Sequence, residues 1–148
     1  MTLPPLPNDI GADAFAINDK DEVVGASYAT YQSHATLWKD GKAIGLIAPY
    51  GQPVAPGVAY GINNKSQVVG YALTDKNHMH AILWEKAALG MMVPTDLNES
   101  IPHPQDMELL TARAINDQGQ IIGEALVHHQ EVHAFLLTPL NSSSEKHP

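Results

Sequence analysis

A chain of 148 residues that is 44% hydrophobic holds enough apolar side chain for one packed domain, or one array of small repeats, and too much for a disordered chain. Eight Lys and Arg against sixteen Asp and Glu leave a formal charge of -8, which argues against nucleic acid and anionic membranes as the main partner. The absence of Cys excludes disulfides, thiolate zinc sites and a thiol nucleophile, and no apolar run approaches the roughly 20 residues of a membrane span.

The opening MTLPPLPND has neither a basic region nor an apolar stretch of signal-peptide length. A cytoplasmic chain, or one read from after a removed segment, is the expectation. Residues 14–17 read as a short strand that mixes small and large side chains, and a turn follows at 18–21. Val23-Val24-Gly25 begins a β-branched strand, and residues 34–38 form the next. The Asp40-Gly41 turn predicts a fourth strand over 42–47. A Pro- and Gly-punctuated linker then leads to a second set of strands, the last of them over 89–93. A third set begins near Ala112 and has no fourth strand. No segment sustains a 3.6-residue apolar period, so helix is minor. The last residues, 141–148, read as a flexible polar tail.

The three sets are copies of one unit. Ile17, Ile62 and Ile115 correspond, at spacings of 45 and 53 residues. So do Asn18, Asn63 and Asn116; Gly25, Gly70 and Gly123; and His34, His80 and His133. The units span about 13–50, 58–98 and 111–140, in a single β-repeat domain over 1–140. Residues 2–7 sit where a fourth strand would precede the next copy, so they are expected to close the last unit.

Four-stranded units of this length predict an all-β, propeller-like fold. Three blades make too tight a ring for ordinary blade twist. The favoured solution is a homodimer completing a six-bladed ring, in which the Leu3–Leu6 strand of one chain completes the third unit of the other. The alternatives are a fragment of a longer array and a β-trefoil-like threefold monomer. The small residues Ala14 and Ala16, Ala59 and Gly61, Ala112 and Ala114 would line an innermost strand crowded near an axis.

The frame A-x-x-I-N-[DN]-x-x-x-V-V-G followed by H-A-[FIT]-L-W resembles the HAF repeat of bacterial proteins. The third unit keeps the tripeptide as His133-Ala134-Phe135; the others read His34-Ala35-Thr36 and His80-Ala81-Ile82. MTLPPLP resembles the family's inter-repeat strand, and Thr95-Asp-Leu-Asn98 its last linker. The resemblance covers nearly the whole chain. It implies a repeat architecture and an extracellular or periplasmic setting, and it implies no activity, cofactor or catalytic residue.

Chemistry-bearing residues are few. The repeated histidines are expected to hydrogen-bond neighbouring turns and lock each unit, because symmetry would keep them from converging within ~2 Å of one ion. The candidate metal ligands are His78, His80, His129 and His133, from His78-Met79-His80 and His128-His129-Gln-Glu-Val-His133. Asn18 to Asp21 resembles a calcium loop, but the fourth position of the equivalent turns varies from Asp21 to Ser66 to Gly119, which suits a turn and not a ligand set. Gly25, Gly70 and Gly123 mark a bulge or a close backbone approach. No hydrolase or phosphate-loop motif is present.

The functional expectation is a non-enzymatic propeller-like module for binding or assembly, with no cofactor. Its ligand, a small molecule or carbohydrate, would meet the variable loops at Tyr28, Tyr31, Asp75, Asn77, His128 and Glu131. The rival expectation is a metal-dependent hydrolase or lyase using the histidine cluster.

Overall fold

The computed structural model describes residues 1–102 and 106–140. The expected tail over 141–148 lies outside the described residues. The first sheet is an antiparallel meander of β1 (Gly11–Ile17), β2 (Val23–Tyr28), β3 (Ser33–Lys39) and β4 (Lys42–Gly45). The second has β5 (Gly57–Ile62), β6 (Val68–Leu73), β7 (Met79–Lys86) and β8 (Met92–Asp96). The third has β9 (Met107–Ile115), β10 (Ile121–Val127) and β11 (Glu131–Leu137). The fourth strand of the second unit falls later than expected, because Ala88–Gly90 forms a 3-10 turn in which Leu89 and Gly90 have positive φ.

The units share register as well as residues. Val23 pairs with Trp38, Val68 with Trp84 and Ile121 with Leu137. In each unit the first pair of strands carries a bulge. Ala14 faces Gly25 and Ala16 faces Val24, which leaves Phe15 as the extra residue. Tyr60 and Arg113 are the equivalent extra residues of β5 and β9, and β9 has a second at Leu110. The bulge presses the backbones together opposite the shared glycine. A Cβ on Gly25, Gly70 or Gly123 would lie 1.9 Å from the carbonyl oxygen of Asp13, Val58 or Thr111. The glycines are therefore required by close approach at a bulge.

Successive residues of a strand face opposite sides of its sheet. Val24, Ala35 and Leu37 of the first sheet pack with Ala59, Ile62, Val68 and Trp84 of the second. The equivalent Val69, Ala81 and Leu83 pack with Ala112, Ile115, Ile121 and Leu137 of the third. Each innermost strand thus lies on the preceding sheet, β5 on β1, β2 and β3, and β9 on β5, β6 and β7. The small residues serve this packing, since a Cβ on Gly61 would lie 3.0 Å from the Cα of Ala114.

The stack is open, which corrects the expected architecture. Three antiparallel sheets of four, four and three strands follow one another without closing into a barrel or ring, so the chain is neither a propeller nor a trefoil. The six-bladed ring and the threefold monomer both fail on this geometry. The N-terminal segment lies on its own chain's first sheet. Residues 2–7 form no strand and are fastened to their own first sheet. The Trp38 indole N–H donates to the Pro4 carbonyl at 2.7 Å, and Ser27 Oγ accepts from the Leu6 N–H at 2.8 Å. Within one chain that segment adds nothing to the third sheet, whose outer strand β11 has no partner beyond β10 among the described residues.

Candidate functional site

The repeated turn is the first polar site that the fold builds. Asn18 Oδ1 accepts from the backbone N–H groups of Lys20 and Glu22, both at 3.0 Å. Asn63 and Asn116 do the same for their own turns. This is the expected turn, helped by left-handed backbone at Asp21, Ser66 and Gly119. The other end of the side chain does something the motif does not announce. Asn18 Nδ2 donates to the Asn63 carbonyl at 3.0 Å, and Asn63 Nδ2 to the Asn116 carbonyl at 2.9 Å. Alongside, the Asp19 N–H donates to Asn64 Oδ1, and the Asn64 N–H to Asp117 Oδ1. The result is a ladder running from sheet to sheet.

Buried Glu22 supports its first rung. Its Oε1 accepts from Ser66 Oγ at 2.5 Å and from Asn18 Nδ2 at 2.8 Å, and Lys86 Nζ lies 3.8 Å from Oε2. Burial pushes this carboxyl up, but the two hydrogen bonds and the lysine charge outweigh it and hold Glu22 below the ordinary carboxylate range.

The second polar site surrounds His80. Its Nδ1 lies 2.6 Å from Asp96 Oδ2, and its Nε2 lies 3.0 Å from Glu108 Oε1. The Tyr50 hydroxyl donates to the same Asp96 oxygen. Burial would raise Asp96, yet the Tyr50 hydroxyl, the His80 ring and the Asn98 backbone N–H together keep it ionised below its usual range. Burial and the Asp96 carboxylate push the Tyr50 hydroxyl far up, so it remains a donor. Both imidazole nitrogens face carboxylate oxygens. The chain from Tyr50 through Asp96 and His80 to Glu108 ties the linker and the second sheet to β9.

Two of the repeated histidines bind carboxylates set in neighbouring turns: Asp9 closes the turn that begins at Leu6, and Asp96 caps the 3-10 turn over Leu97–Glu99. His34 Nδ1 lies 2.9 Å from Asp9 Oδ2, which also accepts from Ser27 Oγ at 2.6 Å. His133 is exposed, with Nε2 3.5 Å from Glu131 Oε1. The carboxylates Asp9, Asp96 and Glu108 lie outside the shared frame, so the repeat pattern does not point to them.

His78, His80, Asp106, Glu108 and His129 do share one open cleft of about 340 Å³. His133 does not line it. The expected metal chemistry is nevertheless overturned, because among the described residues no group of three His, Cys, Asp or Glu side chains could hold an ion. Asp96 and Glu108 bond opposite nitrogens of one ring, and so cannot share a metal. The metal-dependent hydrolase or lyase falls with that geometry. The propeller-borne binding module falls with the ring.

The loop candidates sit on the three hairpins between second and third strands. Tyr28 is half-buried, its ring over Gly11, whereas Tyr31 is fully exposed. Asp75 and Asn77 are exposed, and the Asn77 N–H closes its turn onto the Thr74 carbonyl. The His128 N–H donates to the Asp106 carbonyl, and Glu131 begins β11. The bulge residues make a column instead. Phe15 and Tyr60 have ring centroids 5.6 Å apart, and the Arg113 guanidinium lies 4.4 Å from the Tyr60 centroid.

No protein-family model, no curated protein and no solved structure matches this chain.

Proposed function

We propose that the chain is an architectural segment, a stack of β-sheets whose polar side chains join each sheet to the next. The observation that carries this reading is the Asn63 side chain, which folds its own turn through Oδ1 and grips the following sheet through Nδ2. The polar groups nearest to a catalytic arrangement, Tyr50, His80, Asp96 and Glu108, bond one another across the same kind of joint. Kinship with the HAF repeat proteins belongs to this reading, supported by the frame the three units share. The test compares Asn63→Ala with Asn116→Ala, whose side chain has no following sheet to grip among the described residues. The first should lower the urea midpoint clearly more than the second. Equal effects would contradict a load-carrying ladder.

A further inference from the structure

We infer that the outer face of the third sheet is a docking surface for a second copy of this chain, which would seat the outer face of its first sheet there, head to tail. The inference rests on the architectural reading and names the partner.

The two end faces are the halves of an interface the chain already builds twice. Val24 and Val69 are wholly buried where one sheet meets the next, while the equivalent Ile122 is 49% exposed. Leu37 is 4% exposed at the first joint, and its equivalent Leu136 is 61% exposed. On the receiving side Ile62 is buried, and its equivalent Ile17 is 63% exposed. Ile17, Val23 and Trp38 line an open groove of about 630 Å³ with Met1 and Leu3. That groove is where Ile122 and Leu136 of the other copy would lie, as Val24 and Leu37 lie against Ile62, Val68 and Trp84.

The polar groups match as well. Asn116 Nδ2 bonds Gln120 within its turn, as Asn63 Nδ2 bonds Gln67. The further acceptor that Asn63 finds in the next sheet would be supplied to Asn116 by the Asn18 carbonyl of the second copy. The Asp117 N–H would donate to the Asp19 carboxylate, in the place of Asn64 Oδ1. Exposed Phe15 would continue the column over Arg113.

The unpaired strand edge completes the match. Trp38 bonds the Pro4 carbonyl as Trp84 bonds the Ile47 carbonyl, so Pro4 stands in the place of Ile47 and Leu3 in that of Leu46. The Leu46 N–H donates to the Ala35 carbonyl at 2.9 Å. In the second copy Leu3 would meet the open edge of β11 at Ala134 in the same way. One feature opposes the fit: Asp19 would adjoin Asp117, two carboxylates where the internal joints pair Asp with Asn. The contact is heterologous, so the rotation per copy sets the size of the assembly.

Sedimentation velocity over a concentration series at about 0.15 M salt tests this, with screening sufficient to moderate the net negative charge. Ile122→Asp and Ile17→Asp each change one exposed residue and should leave the circular dichroism of the protomer intact. The wild type should associate, and each variant should need at least about tenfold more protein to do so. An equimolar mixture of the two variants should form mixed pairs, because each keeps one intact face. Asp19→Asn should tighten association. A wild type that stays monomeric to about 1 mM, an Ile17→Asp variant that associates like wild type, or a mixture without mixed pairs would each overturn the proposal. Such a result leaves the architectural reading standing if Asn63→Ala still destabilises the monomer. If Asn63→Ala has no effect beyond that of Asn116→Ala, the architectural reading fails separately.

Discussion

Asn18 and Asn63 stand 45 residues apart, and the side-chain amide of the first donates to the main-chain carbonyl of the second at 3.0 Å. Asn63 repeats the act on Asn116, 53 residues on. Asn18 and Asn63 are 8% and 4% exposed, so water is a poor substitute for either bond. A buried amide that loses its partners bears the desolvation cost as well as the lost bonds.

Asn63→Ala removes two turn acceptor bonds and the donor bond to the next sheet together. The expected loss is about 2–4 kcal/mol, read as a fall in the urea midpoint at unchanged slope. Asn116→Ala loses its turn bonds in solvent and should cost about 1 kcal/mol or less.

Gly70→Ala should be among the most damaging single substitutions. Its Cβ would lie 1.9 Å from the Val58 carbonyl oxygen, and backbone at a bulge has no flexible end to move aside. A loss of about 3 kcal/mol or more, or no folded protein, is expected. Gly51→Ala meets no atom within 4 Å, and its φ of +98° is the only obstacle. It should cost about 1 kcal/mol. Thermal unfolding followed by circular dichroism separates the two.

Acid should loosen the joints. Burial raises Glu22, Asp96 and Asp9, but hydrogen bonds and neighbouring positive groups outweigh it, so all three carboxyls sit below their ordinary values in the folded chain. A folded pKa below the unfolded one stabilises above the unfolded value and is lost as pH falls through the folded one. Urea midpoints should therefore hold from neutrality to about pH 5 and fall below about pH 4. Asp96→Asn should be less stable than wild type at neutral pH, with a shallower fall in acid. An unchanged acid slope in that variant would remove Asp96 from the account.

Much of the fold is legible in the sequence, because it lies in local signals that recur. The β-branched pairs Val23-Val24, Val68-Val69 and Ile121-Ile122 mark the second strands. The shared glycines mark the bulges, and the shared asparagines mark the turns. What repetition cannot convey is how the last unit relates to the first. Residues 2–7 stand one strand ahead of the first unit and suggest ring closure, yet the three sheets follow one another in an open stack. The fourth strand of the second unit starts later than its sequence suggests, because Leu89 reads as a strand residue and instead takes left-handed backbone in a 3-10 turn. The His80 site was half legible. The histidine repeats, but Tyr50, Asp96 and Glu108 come from segments the repeat does not share, and nothing local foretells that they meet.

The central claim is that polar side chains couple one sheet to the next, and a double-mutant cycle on Glu22 and Ser66 tests it most directly. These buried residues lie 44 apart in sequence, on the turns of the first and second units, and share one bond of 2.5 Å. Glu22→Ala, Ser66→Ala and the double variant, unfolded in urea at neutral pH, should give a coupling of about 1–3 kcal/mol. Additive losses, with a coupling under about 0.3 kcal/mol, would mean that apolar burial alone holds the sheets together and would contradict the account.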